Sequence, residues 1–330
     1  MAFSQLPHSA PPASPPTARP NLDAVFSYGF RPFFLGAGAY AALAMAGWIV
    51  WLAAAGAGWS QEWLPIAGSP FAWHAHEMVF GFAAAAIGGF LLTAVPNWTG
   101  ALPLSGLPLV LLFATWLLGR LATGFSAGLP YPLVAVIDVL FLPLLGGMAA
   151  RQLFIRPALR NLVFLVLVAV LTLCNILFHF GNGGYVAIDP LAPVRAAILV
   201  VTLMVAIIGG RIIPAFTHNW LHGNNASAPK PRRSPRLDVF ALASLALLVP
   251  LEIAAAPEAV LGVTALVATV SNGARLVLWR GTATRSEPIV WVLHLGYAWI
   301  VIGLALRTLA AFTEAVPGAV VTHAFVVVQV

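Results

Sequence analysis

The chain has 330 residues, of which 61% are hydrophobic and only 8% are Asp, Glu, Lys or Arg, with a formal charge of +6. Soluble domains carry about a quarter charged residues, so the composition excludes an ordinary soluble domain and predicts an all-α, polytopic transmembrane bundle. The apolar runs are continuous rather than alternating, which argues against a β-barrel. The single cysteine, Cys174, excludes a disulfide framework and a thiolate metal cluster.

Residues 1–25 read as a disordered cytoplasmic tail. Met1 to Asn21 is rich in Pro, Ala and Ser and lacks the apolar core of a cleavable signal peptide. Residues 26–330 read as one transmembrane helical domain of nine to ten spans. The apolar runs place the spans at roughly 33–55, 71–95, 107–125, 130–150, 158–180, 193–213, 237–254, 257–279 and 288–310, with a tenth from near 316. Pro32 suits a helix start, and Pro143 and Pro250 fall where they would kink or stop a helix.

Charge fixes the expected orientation. With the N-terminus in the cytoplasm of an inner membrane, Arg19, Arg31, Arg151, Arg156, Arg160, Lys230, Arg232, Arg233, Arg236, Arg280 and Arg285 all fall inside, eleven of the sixteen basic residues. Glu62, Arg120, Asp189, Arg195, Glu252, Glu258 and Glu314 fall in outer loops or at outer helix ends. The basic loop from His218 to Arg236 reads as an anchor to anionic lipid, not a nucleic-acid surface.

The second span opens on Trp73-His74-Ala75-His76-Glu77-Met78-Val79-Phe80-Gly81-Phe82. Two imidazoles and a carboxylate in the first turns of an apolar helix are costly unless paired or bound. On a straight helix His74, Glu77, Met78 and Gly81 share one face, while His76 and Phe80 look elsewhere. The two histidines are therefore expected to serve separate sites. Metal or haem ligation is one reading. The plainer one is a helix start capped by histidines, with Glu77 neutral or paired to an arginine.

Depth sorts the remaining histidines. His74, His76, His179 and His323 fall in an outer layer; His218, His222 and His294 fall in an inner one with Arg211 and Arg275. His74, His76, Glu77 and His179 are the candidate metal ligands. His74, His76, His294, His323 and Arg211 are the candidate cofactor contacts, Arg211 toward a haem propionate or a lipid phosphate. Asp138, mid-span, is either functional or held by a partner. Together with Asn175 and Asn272 it supports an alternative reading, a transporter or channel that lacks a metal. No phosphate loop, nucleophile elbow or zinc-protease helix is present, and no reaction is assigned.

Four stretches carry a resemblance: Gly29-Phe30-Arg31-Pro32-Phe33-Phe34, the Trp73 to Phe82 segment, Gly210-Arg211-Ile212-Ile213-Pro214-Ala215-Phe216-Thr217, and Leu293-His294-Leu295-Gly296-Tyr297. They lie in order along nearly the whole chain. The chain resembles the NnrS family of membrane proteins. That resemblance implies about twelve spans, haem bound by histidines, copper, and a role in the response to nitric oxide and nitrosative stress beside denitrification. The expected departure comes at Thr322-His323-Ala324, after which the family pattern is expected to break off, as in a C-terminally truncated copy.

Overall fold

The computed structural model describes residues 22–59, 64–155, 159–224 and 230–327, and no strand occurs among them. Most of the expected tail, residues 1–21, lies outside the described residues. Ten helices follow the ten expected segments: α1 (Phe30–Gly56), α2 (Pro70–Thr99), α3 (Leu107–Gly124), α4 (Tyr131–Ile155), α5 (Val163–Asn182), α6 (Leu191–Asn224), α7 (Pro235–Ile253), α8 (Glu258–Leu278), α9 (Pro288–Phe312) and α10 (Gly318–Val327). Eight are long and apolar enough to cross a bilayer. Of the other two, α7 has 19 residues but carries Arg236, Asp238 and Glu252, and α10 has only 10. The protein is a multi-pass helical membrane protein.

Local sequence explains the ends. Ser69-Pro70, Ser234-Pro235 and Glu287-Pro288 place an extended residue before a proline at the first helical position, where its missing N–H costs nothing. Ser234 also caps α7 by accepting from the Leu237 amide at 3.4 Å. Gly100, at φ +67°, ends α2 in the left-handed conformation. Within α4, Pro143 cannot donate to Val139 and its ring crowds that carbonyl, and the helix is interrupted at Leu140.

Burial separates two centres from their surroundings. In α2 and α6 the apolar stretch is 72% and 78% buried, whereas no other span exceeds 44%. α1, α3 and α4 gather on the α2 side, α7 to α10 gather around α6, and α5 lies between them, packed against α4 and α6. The two central helices also touch each other. Large aliphatic and aromatic side chains on the lipid-facing surfaces of the outer helices stay exposed, as a bilayer requires.

Candidate metal centre

α2 is not a plain helix. It runs as an α-helix from Pro70 to His76 and then widens into a π-helical segment, Glu77–Ala83. Such segments are rare and collect at functional sites. The widened turn shifts the register of the residues that follow it. Glu77 faces α1, as His74 does: its Oε2 accepts from Tyr40 and His74 stacks on Trp48, while its Oε1 lies 2.8 Å from Nδ1 of His76. Gly81 makes the packing possible. A Cβ there would sit 2.6 Å from Cε1 of Tyr40 and 3.0 Å from Nη1 of Arg120. Trp116 on α3 secures the segment by donating Nε1–H to the Gly81 carbonyl at 2.9 Å.

Five helices converge on this point. Arg120 of α3, buried, donates Nη1 to Glu77 Oε2 at 2.6 Å and Nη2 to Asp138 Oδ1 of α4. Tyr40 of α1 donates to Glu77 Oε2. Asp138 Oδ2 accepts from Asn175 Nδ2 of α5 at 2.8 Å, and lies 2.9 Å from Nε2 of His179 and 3.2 Å from Nε2 of His76. His76 Nε2 is also 2.9 Å from Asn175 Oδ1. Beyond His179, the hydroxyl of Tyr131 lies 3.1 Å from Nδ1 and accepts from Asn182 at 2.8 Å. His76, Glu77, Asp138, Asn175 and His179 are each 2% exposed or less.

The charge count is informative. Glu77 and Asp138 face one guanidinium, so the cluster carries one negative charge beyond what Arg120 neutralises. A buried unpaired charge is strongly unfavourable. A proton on an imidazole or a bound cation restores balance. His76, Asp138 and His179 each offer one ligand atom, and these atoms lie within 4.8 Å of one another. Two imidazoles and a carboxylate suit copper, zinc or ferrous iron. Glu77 and Tyr131 hold the imidazoles of His76 and His179 from behind, each at Nδ1, as outer partners do around metal ligands, while Asn175 meets His76 at the Nε2 that faces Asp138.

A small cavity of about 20 Å³ adjoins the cluster, bounded by Trp73, His76, Thr123, Tyr131, Phe178 and His179 among others. A water-sized molecule needs roughly 10–15 Å³, so the space admits a diatomic or a water and not a porphyrin.

The outer layer of four histidines therefore divides. His76 and His179 meet, with ring centroids 5.4 Å apart. His74 turns to α1 and stacks on Trp48 at 4.3 Å, with Nδ1 buried and without a hydrogen-bond partner. His323 of α10 is exposed, and its Nδ1 lies 2.7 Å from the Ala319 carbonyl. His294 is elsewhere: Nε2 is 2.8 Å from the Thr217 hydroxyl, and Gly281 packs over Nδ1. Arg211 contacts none of these histidines. It donates to Asn161 Oδ1 at 2.9 Å and to the Arg160 carbonyl at 3.0 Å. His218 and His222 stack at 6.1 Å at the far end of α6.

Arg120 and Tyr40 complete the site, and neither is among the candidate ligands taken from the sequence. The signal for Arg120 is a lone guanidinium between Leu118 and Leu121 in an apolar helix, a position that demands a buried carboxylate. Tyr40 carries no comparable signal. Asn272, grouped with Asp138 and Asn175 in the transporter reading, instead accepts from Tyr297 at 2.7 Å and from Arg275 at 3.3 Å, in the α6 half.

A family model described as NnrS protein matches residues 24–328. The chain belongs to that family of membrane proteins, associated with the nitric oxide response. The match runs through α10, which corrects the expected departure from the family pattern after His323. No curated protein and no solved structure matches the chain.

Proposed function

We propose that this NnrS-family protein holds a transition-metal ion within the bilayer and presents it to nitric oxide or a molecule of that size. The observation that carries the reading is the His76, Asp138 and His179 cluster, whose ligand atoms lie within 4.8 Å of one another, with a cavity of about 20 Å³ beside it. Copper fits the donor set, and a copper ion held by two imidazoles offers an open position to a small ligand. Arg120 holds Asp138 and Glu77 in place. Asn175 and Tyr131 orient the two imidazoles, and Phe178, stacked on His76 at 4.3 Å, excludes water from one side.

Haem, also implied by the family, belongs in this reading to a different place. His74 Nδ1 is a buried ring nitrogen that lacks a partner. The Ala319 carbonyl fixes one nitrogen of His323 and leaves the other free, as for a ligating imidazole. We assign His74 and His323 as the haem contacts. Haem iron with a displaceable position binds nitric oxide. The cluster at His76 is too tight for a porphyrin. The assignment puts both centres toward the outer face of an inner membrane, with the basic loops in the cytoplasm.

The test is a double separation on the purified full chain, expressed with haem and copper supplied. The expected result is a Soret band that shifts with nitric oxide and disappears in His74→Ala while copper is retained. In His76→Ala copper should be lost and the Soret band kept. Protein that shows neither band nor copper, yet is folded, would favour a metal-free transporter instead.

A further inference from the structure

We propose that the cleft between α2, α5, α6 and α9 is a binding site for one anionic phospholipid. An acyl chain occupies the cleft and the phosphate pairs with Arg211.

The cleft has a volume of about 520 Å³ and an almost wholly apolar lining that includes Ile87, Phe90, Phe164, Met204, Ile208 and Val292. That is within the range of small-molecule sites, roughly 300–1,000 Å³. No histidine and no carboxylate lines it. A polar solute gains nothing there, and a porphyrin finds no imidazole. Gly209 and Gly296 keep the walls of α6 and α9 low, and Ile212 and Val292 at its edge are exposed, so the cleft opens toward lipid.

One end of the cleft is cationic. The Arg211 guanidinium lies over the Phe164 ring, 5.7 Å from its centroid, and Phe164 is part of the wall. Its hydrogen bonds go to an amide oxygen and a backbone carbonyl, and no carboxylate pairs with it among the described residues. Arg160 is adjacent through that same carbonyl, and Arg160 and Arg233 are both close enough to repel Arg211. Asp238, the nearest acid to Arg233 at 3.5 Å, is held at 2.8 Å by buried Arg275. A group of guanidiniums short of anions calls for one from outside, and Arg suits a phosphate. A neutral quinone would leave that charge unanswered.

Depth agrees. Arg211 comes twenty residues after Leu191 in α6, which is about 30 Å along a helix and close to the thickness of the hydrocarbon core. Arg211 thus reaches headgroup level while Met204 and Ile208 stand in the acyl region below it. Basic pockets between helices on the cytoplasmic side recognise anionic headgroups in this manner.

The experiment uses the full chain, delipidated in detergent, with added phosphatidylglycerol or phosphatidylcholine of identical acyl chains. Thermal unfolding and native mass spectrometry are read together. Phosphatidylglycerol should bind one per chain, about tenfold more tightly than phosphatidylcholine, with a preference that weakens in salt. Arg211→Gln should abolish the preference, and Ala86→Trp, which fills the cleft, should abolish retention of either lipid. Equal binding of both lipids by the wild type would overturn the proposal, as would a quinone or haem mass at this site or full selectivity in Arg211→Gln. Should a variant fail to fold, the wild-type comparison decides alone. None of these readings depends on the metal centre.

Discussion

Arg120 is the residue on which the candidate site turns. It bridges Glu77 and Asp138 with separate nitrogens, so two carboxylates that would repel one another share one counter-charge. Removing one partner from such a buried group strands the others, at a cost of about 3–5 kcal/mol. Arg120→Met is expected to lower stability by that order, seen as loss of folded protein in a detergent melt. Glu77→Gln should cost less, because its amide can still meet Tyr40 and His76. Equal effects of the two substitutions would show that the bridge is not what holds the cluster. Sequence alone marks Asp138 as a costly mid-span acid and His76 as a candidate ligand. It does not join them, because the partners of Asp138 come from α2, α3 and α5 and meet only in the folded bundle.

At the scale of the element, α2 shows where local reading stops. The span, its proline start and its apolar run are all visible in the sequence, and so is the expectation that His74 and His76 part company. The π-helical segment is not visible, since nothing in Glu77–Ala83 distinguishes it from an ordinary helix until Tyr40, Trp116 and Arg120 pack against it. That turn sets how Gly81 packs against α1 and α3. Gly81 is its test. Gly81→Ala would press a methyl against Tyr40 and Arg120, and overpacking of this kind costs about 1–3 kcal/mol. The expected outcome is a lower melting temperature and weaker metal retention together. A variant with unchanged metal affinity would contradict the role given to the widened turn. The break in α4 at Leu140, by contrast, could be read from Pro143.

The whole molecule is the scale most legible in the sequence. Ten apolar segments become ten helices, because hydrocarbon leaves the backbone no other way to satisfy its polar groups. The division into an α2 half and an α6 half, with a lipid-facing cleft between them, was not legible; it depends on which faces pack. The charge pattern predicts that single cysteines at Thr282 and Val186, both exposed, are labelled from opposite sides, Thr282→Cys from the cytoplasm and Val186→Cys from outside. Cys174 is buried and should stay silent. Labelling of both from one side would overturn the span count. The most direct test of the metal centre is elemental analysis of the purified chain beside His179→Ala. One copper per chain in the wild type, lost in the variant while its helical content persists, is the predicted result. A wild type with no stoichiometric transition metal, or a variant that keeps it, would contradict the assignment.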